Sequence, residues 1–279
     1  MKDKFVDLHT HSNFSDGTYS PEELVETAKR EGLSAIALTD HDTVGGIEAA
    51  IGAGKKAGVE VIPGVELSCD CCGEEVHVVG LFVRWRNADF NEILRELVEK
   101  RKQRKKLILE RLKEMGINIP PEVLSKFAQG EVIGRLHIAR ALQSIGVVKS
   151  INEAFNKYLG NNAPAYVPHE RKTGEEVVKI IETAGGIPVI AHPQYLRKPE
   201  LVIPEMVAKG VQGLEVYFPE NGDKPSPFFL PYIKRWNLLE SAGSDCHGEA
   251  KDAHLLGKVK APYELVVKMR EWLKKKYGS

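Results

Sequence analysis

The sequence predicts an α/β protein, a closed or distorted β/α barrel that carries a helical insertion. Short apolar segments alternate with amphipathic helical segments, which is typical of a parallel sheet covered by helices. Histidines and carboxylates follow most of the predicted strands, and a β/α barrel places its reactive residues beyond the carboxyl ends of its strands. An open doubly wound sheet is the alternative, but it offers a single crevice at a switch point, whereas the polar residues here follow nearly every strand.

The first two predicted strands are separated by a helix with clear end signals. Residues 5–8 form an apolar segment that predicts a buried strand. The sequence Ser20-Pro21-Glu22-Glu23 supplies an N-cap, a first-turn proline and the glutamate of a capping box. We therefore expect a helix over residues 21–31 that is stopped by Gly32. The second strand, residues 35–38, leads directly into Thr39-Asp40-His41-Asp42.

The same alternation continues along the chain. A helix is predicted over residues 46–56, and another begins at Thr173, which starts a second capping box. Further strands are predicted at residues 59–62, 76–83, 188–191, 213–216 and 238–242. Glu66 comes just beyond the first of these strands, His77 lies within the second, and His192 follows the third.

Residues 85–165 interrupt the alternation. They contain a long, charge-dense helical pattern at residues 91–115, followed by shorter helical patterns and no strand pattern. We interpret residues 85–165 as a helical insertion in a barrel formed by residues 1–84 and 166–279. The basic run at residues 100–106 is interpreted as a solvated helix face rather than as a polyanion-binding patch.

Composition limits the class of partner. Lys plus Arg equals Asp plus Glu at 39 each, so no overall field favours a long duplex nucleic acid or an anionic membrane. The first apolar segment is too short for a signal peptide, and no later segment is long and free of charge. We therefore expect a soluble cytoplasmic protein. Cys69, Cys71 and Cys72 crowd together while Cys246 is remote, so we expect reduced cysteines without a metal or redox role.

The chemistry is indicated by six histidines and four carboxylates at or near predicted strand ends, namely His9, His11, Asp16, His41, Asp42, Glu66, His77, His192, Asp245 and His247. On an extended segment the side chains of His9 and His11 project to the same side, so both can reach one ion. Neutral imidazole and carboxylate suit Mn²⁺, Fe²⁺ or Zn²⁺. Several such ions that share a bridging carboxylate are the usual apparatus for hydrolysis of phosphate esters. The chain has neither a Gly-x-Ser-x-Gly elbow nor a phosphate-binding glycine loop.

These residues form motifs that resemble those of a known superfamily. The four segments His9-x-His11, residues 39–42, residues 191–193 and residues 244–247 resemble the motifs of the PHP (polymerase and histidinol phosphatase) superfamily. Four further segments, at residues 16–17, 64–68, 77–81 and 134–139, resemble the subgroup of 3′,5′-nucleoside bisphosphate phosphatases. Some members of this subgroup are also described as 5′-to-3′ exoribonucleases.

The resemblance implies a distorted seven-stranded β/α barrel with three divalent ions, Mn²⁺, Fe²⁺ or Zn²⁺. The implied ligands are His9, His11, Glu66 and Asp245 for the first ion, Glu66, His77 and His192 for the second, and Asp16, His41 and His247 for the third. A hydroxide that bridges the first two ions is expected to attack the phosphorus in line. Asp245, His192 and His247 are expected to act in catalysis as well as in metal binding.

The expected substrates are 3′,5′-nucleoside bisphosphates, which would lose the 5′-phosphate, and short 5′-phosphorylated RNA. We expect Arg135 to hold a second phosphate with His137 beside it, and His169 and Lys172 to face the substrate. Asp42 is expected to orient a ligand histidine.

Other activities stay open. Residues 161–164 are Asn-Asn-Ala-Pro where the subgroup carries a basic stretch, so simple phosphomonoesters and cyclic phosphodiesters remain alternatives. A histidinol-phosphate phosphatase is a further alternative, although Asp16 stands where that branch tends to have histidine. A non-catalytic metal-binding module is the third class.

Overall fold

The computed structural model describes residues 4–127, 132–168, 171–250 and 255–278 and contains one mixed sheet flanked by helices. The strands are β1 (Phe5–Thr10), β2 (Leu33–Leu38), β3 (Glu60–Cys71), β4 (Glu74–Leu81), β5 (Lys172–Thr173), β6 (Ile187–Ile190), β7 (Gly213–Tyr217), β8 (Leu239–Ala242) and β9 (Ala261–Pro262). The helices are α1 (Pro21–Arg30), α2 (Ile47–Ala57), α3 (Ala88–Glu114), α4 (Pro121–Ser125), α5 (Arg135–Ser144), α6 (Ile151–Ala154), α7 (Gly174–Thr183), α8 (Pro199–Ala208), α9 (Leu230–Trp236) and α10 (Glu264–Tyr277). A π-helical turn (Phe155–Leu159) continues α6.

The sheet is nearly closed into a barrel, as the sequence predicts. Its strand order is β8-β7-β6-β4-β3-β2-β1-β9, with β5 paired to β3. The chain after β8 returns to β1, and two backbone hydrogen bonds join the two segments. The N–H of His11 donates to the carbonyl of Cys246 at 2.9 Å, and the N–H of Asp245 donates to the carbonyl of His9 at 3.1 Å. The chain segments after β1 and after β8 therefore lie side by side, which brings their polar residues together.

The prediction of a parallel sheet is wrong at β4. This strand pairs antiparallel with β3 and with β6. Cys72 and Gly73 form the two-residue turn between β3 and β4, with φ values of 55° and 73°, and a turn with two positive φ angles suits the twist of a hairpin. A hairpin needs no crossover helix, so the alternation of strands and helices stops here.

Strand β3 is also longer than the predicted strand at residues 59–62. It pairs with β2 as far as Pro63 and with β4 from Gly64 onward. The proline thus lies where the ladder to β2 ends, and the strand continues with a new partner. As a result Glu66 lies inside β3. The sequence had suggested that it would lie beyond the end of a strand.

Two hydrophobic cores are joined by α3. Phe90 and Leu94, near the beginning of this helix, pack in the barrel core. Ile108 and Leu112, about four to six turns later, pack in a second cluster with residues from α4, α5 and the π-helical turn. The helix therefore fixes a helical layer against the barrel. Among the described residues, no helix is long and apolar enough to cross a lipid bilayer.

The cysteines of the hairpin are free thiols. Cys69 and Cys71 are buried on β3, Cys72 is exposed, and Cys246 is buried near β1. Burial raises the pKa of both the Cys69 and the Cys71 thiol to about 12, so these side chains are neutral at physiological pH. The expectation of unpaired cysteines agrees with this arrangement.

Candidate metal centre

The predicted ligands converge beside one cavity of about 430 Å³. His9 is on β1, and His11 follows that strand directly. Glu66 and His77 come from the interior of β3 and β4, whereas His192 follows β6. Asp245 and His247 follow β8, and His41 follows β2. Seven of the nine line the cavity, namely Asp16, His41, Glu66, His77, His192, Asp245 and His247.

Glu66 lies at the centre of this cluster and is 1% exposed. Its Oε2 is 3.2–3.3 Å from ring nitrogens of His9, His11 and His41. Its Oε1 is 2.9 Å from Nδ1 of His77 and 3.1 Å from Nε2 of His192. Each carboxylate oxygen therefore faces its own set of imidazoles, which is the arrangement that a carboxylate bridging two cations requires.

Asp16 and Asp245 complete the two ends of the cluster. Oδ1 of Asp16 is 3.2 Å from Nε2 of His247, and its Oδ2 is 3.8 Å from Nε2 of His41. Oδ1 of Asp245 is 3.4 Å from Nε2 of His11 and 3.6 Å from Nε2 of His9. His11, which follows β1, thus has a carboxylate near each ring nitrogen, with Asp16 3.9 Å from Nδ1 and Asp245 3.4 Å from Nε2.

The donor atoms fit divalent cations. Among the residues that the structure describes, three groups have ligand atoms within 4.8 Å of one another: His9, His11, Glu66 and Asp245; His11, Asp16, His41 and His247; and His41, Glu66 and His77. Among the described residues, Oδ1 of Asp16 and Nδ1 of His41 are buried and make no hydrogen bond of acceptable geometry, although each lies 3.2 Å from another ligand atom, on His247 and Glu66 respectively. Buried polar atoms without partners are costly, so their presence in a cluster of imidazoles and carboxylates is consistent with cation binding.

The grouping differs from the implied ligand sets in one respect. His41 approaches Glu66 and His77 as well as Asp16. It therefore lies between two of the implied sets rather than belonging to one. His192 approaches the cluster through the same Glu66 oxygen as His77.

The electrostatics of the site favour ionised carboxylates. Burial alone would raise the pKa of Glu66, but His41, His9 and His77 together hold it well below the usual value. Burial is likewise outweighed for Asp16, whose pKa is held well below the usual range by His247 and His41. Burial lowers the pKa of His41 well below the usual value, so its ring is neutral. The neighbouring carboxylates raise the pKa of the His11 and His77 rings, to about 9 and about 10. Since metal binds ionised carboxylate and neutral imidazole, a cation would have to displace protons from these two rings.

Strained backbone occurs at the same end of the barrel. Asp42, His192 and Asp245 have φ values of 53°, 31° and 52°. Non-glycine residues in this left-handed region are uncommon and tend to occur at functional sites, where the surrounding structure holds them.

Two carboxylates that the sequence analysis did not select support the site. Asp40 accepts hydrogen bonds from the backbone N–H and hydroxyl of Ser12 and from the hydroxyl of Ser15, at 2.5–2.8 Å, and so fixes the loop before Asp16. Oε1 of Glu215 lies 2.8 Å from Nδ1 of His9. Glu215 is a charged residue within an otherwise apolar strand at residues 213–217, and this pattern could have indicated from the sequence that its carboxylate has a role in the site.

The carboxylate of Asp42, expected to orient a histidine, pairs instead with Nε of Arg101 on α3. Arg101 and Arg104 also correct the interpretation of the basic run as a solvated helix face, because both line the cavity. Lys100 and Lys106 on the same helix are exposed. The helix thus presents some of its cations to solvent and others to the candidate site.

Two guanidinium nitrogens in this region are not used in hydrogen bonds. Among the described residues, Nη2 of Arg104, which lines the cavity, and Nε of Arg171, which lies behind it, are buried without a hydrogen-bond partner. The carboxylate of Glu75 is 2.9 Å from Nη2 of Arg171 and 3.7 Å from Nη2 of Arg135. Guanidinium groups that converge on a cavity favour an anionic ligand with several oxygens, such as a phosphate.

The predicted substrate-binding residues have different surroundings. Arg135 lines the cavity, and its Nη1 also donates to the carbonyl of Leu159 and to Asn161 at 3.3 Å. His137 is buried, and its Nδ1 accepts from the backbone N–H of Gly134 at 3.1 Å, which caps α5. Lys172 lies on β5, with Nζ 3.7 Å from Glu176. His169 lies outside the described residues.

Comparison with known proteins identifies the family. A family model described as the PHP domain matches residues 7–159. The chain belongs to the PHP domain family. A Haemophilus influenzae protein named 5′-3′ exoribonuclease is 36% identical over 251 residues, which are 88% of this chain and 90% of that protein. A Chromobacterium violaceum protein named 3′,5′-nucleoside bisphosphate phosphatase is 32% identical over 264 residues, 90% of each chain.

A solved structure is similar to this chain over nearly its full length. The Bifidobacterium adolescentis protein, assigned as a metal-dependent phosphoesterase, superposes with a TM-score of 0.85 at 30% identity and covers 95% of both chains. The predicted family and the distorted barrel are thereby confirmed. This PHP protein is an enzyme, a metal-dependent phosphoesterase, with a histidine and carboxylate cluster able to bind metal.

Proposed function

We propose that this enzyme removes the 5′-phosphate of 3′,5′-nucleoside bisphosphates and also acts on short 5′-phosphorylated RNA. One observation carries the proposal. The cavity beside the ligand cluster is also lined by Arg101, Arg104 and Arg135. A substrate with two phosphates would place one at the metal centre and the other at the arginines. The names of the two curated relatives point to the same substrate classes.

The proposed ligands hold three divalent ions. They are His9, His11, Glu66 and Asp245 for the first, Glu66, His77 and His192 for the second, and Asp16, His41 and His247 for the third, with His41 within reach of the second. When bound, such ions polarise phosphate oxygens and supply a nucleophilic water at neutral pH. Among these ligands, Asp245, His192 and His247 are proposed to border the reacting phosphate, since all three line the cavity.

The helical layer is proposed to select the substrate. Residues 85–165 contribute Arg101, Arg104 and Arg135 to the cavity, whereas residues 1–84 and 166–279 contribute the metal ligands. Asn161, where related enzymes were expected to carry a cation, is a hydrogen-bond partner of Arg135. The asparagine thus helps to hold the guanidinium in place.

A substrate screen with metal-reconstituted enzyme tests the proposal. We expect faster phosphate release from adenosine 3′,5′-bisphosphate than from adenosine 5′-monophosphate or histidinol phosphate. Arg135→Gln should lower kcat/KM for the bisphosphate by about 10- to 100-fold, because a charge-assisted contact is worth about 1.5–3 kcal/mol. The kcat/KM of this variant for the monophosphate, which lacks the second phosphate, should change little.

Two control variants accompany the screen. Arg140→Gln removes an arginine of the same helix that stacks on Phe127 and does not line the cavity, and it should retain wild-type selectivity. His192→Ala should remove activity on every substrate. Equal losses for both nucleotides in Arg135→Gln, or faster hydrolysis of histidinol phosphate by the wild type, would contradict the proposed specificity.

A further inference from the structure

Glu215 contacts two of the proposed metal ligands from inside the barrel. It lies in the middle of β7 and is 1% exposed. Its Oε1 is 2.8 Å from Nδ1 of His9, and its Oε2 accepts the backbone N–H of His192 at 2.6 Å. We propose that Glu215 is a positioning residue that fixes His9 and His192 for metal binding. This inference rests on the ligand assignment of the proposed function.

The contact with His9 sets the tautomer of its ring. When Nδ1 donates to Glu215, Nε2 is left without a proton and can bind a cation. Nε2 is the atom that faces the cluster, 3.3 Å from Glu66 and 3.6 Å from Asp245. The hydrogen bond to a carboxylate also increases the basicity of the ring and thus its strength as a ligand.

The contact with His192 holds a strained backbone. His192 has φ of 31°, and its N–H donates to the second oxygen of the same carboxylate. Its ring nitrogen Nε2 then lies 3.1 Å from Oε1 of Glu66. One side chain on β7 therefore fixes a ligand on β1 and a ligand in the segment after β6.

This double contact specifically requires a carboxylate. Both oxygens of Glu215 accept, and glutamine at this position would turn its NH₂ group toward one of the two N–H donors. Gly243 leaves room for the carboxylate, since a Cβ atom there would lie 2.6 Å from Oε1 of Glu215 and 2.6 Å from Cβ of His9. Glycine is therefore the residue that lets the carboxylate and the histidine approach.

The metal content of purified variants tests the inference. Wild type, Glu215→Gln and Glu74→Gln are stripped, titrated with Zn²⁺ and analysed for bound metal and dissociation constants. Glu74 is a matched control because it is also a buried glutamate and lies outside the cluster. Its carboxylate accepts a hydrogen bond from the backbone N–H of Arg197 at 2.8 Å. We expect Glu215→Gln to bind at least one equivalent about 10- to 100-fold more weakly, and Glu74→Gln to match the wild type.

A second measurement does not depend on folding of the variant. In the Zn²⁺-loaded wild type, long-range ¹H–¹⁵N spectra of the histidine rings should show a proton on Nδ1 of His9 and none on Nε2. A proton on Nε2 of His9, or unchanged zinc affinity in Glu215→Gln, would overturn the positioning role of Glu215 but not the proposed function. Absence of zinc binding in the wild type would overturn the proposed function itself.

Discussion

At the residue scale, Glu75 is notable because it lies between the two parts of the candidate site. Its carboxylate pairs with Arg171 and Arg135, and its Oε1 is 3.8 Å from Nε2 of His77. These neighbours hold its pKa below the usual value despite burial. Glu75 thus occupies, as an internal anion, part of the region where a second phosphate is proposed to bind.

Removal of this negative charge should strengthen substrate binding. We expect Glu75→Gln to lower KM for adenosine 3′,5′-bisphosphate by about two- to fivefold, since a partly exposed ion pair is worth up to about 1 kcal/mol. Initial rates over a range of substrate concentrations give the value. Asp70→Asn is the control, because Asp70 is half exposed, is 3.7 Å from Arg171 and does not line the cavity. A higher KM in Glu75→Gln would mean that the carboxylate organises the arginines instead of competing with the substrate.

At the element scale, the parts of the site that depend on strand ends were predictable, and the parts that depend on packing were not. His9, His11, His192 and His247 could be identified from motifs next to apolar segments. The position of Glu66 was misjudged because a strand can continue through Pro-Gly when it changes partners, as β3 does.

Helix orientation limited the prediction in the same way. Whether Arg101 and Arg104 face water or the cavity depends on how α3 packs on two cores, and the charge pattern of one helix does not contain that information. The role of Glu215 was not predicted because its partners come from β1 and from the segment after β6, both distant in sequence. Long-range contacts of this kind follow from the tertiary fold.

The ion pair between Arg101 on α3 and Asp42 connects the helical layer to the loop that carries His41. The side chains are 12% and 5% exposed. Since loss of one partner leaves a buried charge without compensation, Arg101→Gln should lower the free energy of unfolding by about 3 kcal/mol. Urea denaturation of the metal-free protein measures this change.

An exposed pair on the same helix provides the control for Arg101→Gln. Arg95 pairs with Glu92, and both side chains are more than 60% exposed, at 67% and 63%. Arg95→Gln should change the free energy of unfolding by less than about 1 kcal/mol. Similar changes in the two variants would show that the Arg101–Asp42 pair does not tie α3 to the barrel.

At the scale of the whole molecule, the metal centre joins segments from the entire barrel. The ligand atoms come from β1, β3, β4 and the segments that follow β1, β2, β6 and β8. Cations bound there would cross-link strands that are distant in sequence, and they would bind the folded chain in preference to the unfolded one. Folding stability should therefore depend on the concentration of metal.

We expect Mn²⁺ at about 100 times its dissociation constant to stabilise the native protein by about 2.7 kcal/mol, because that is the linkage free energy for one site. Calorimetry of the stripped protein at increasing Mn²⁺ should show a Tm that rises by about 5 °C, and more if several ions bind. Glu66→Gln should abolish most of this rise, since Glu66 contacts five of the histidines. Glu74→Gln should keep the wild-type response because its carboxylate is outside the cluster. A Tm that does not respond to Mn²⁺, or that responds equally in Glu66→Gln, would mean that the cations do not bind at the converged histidines.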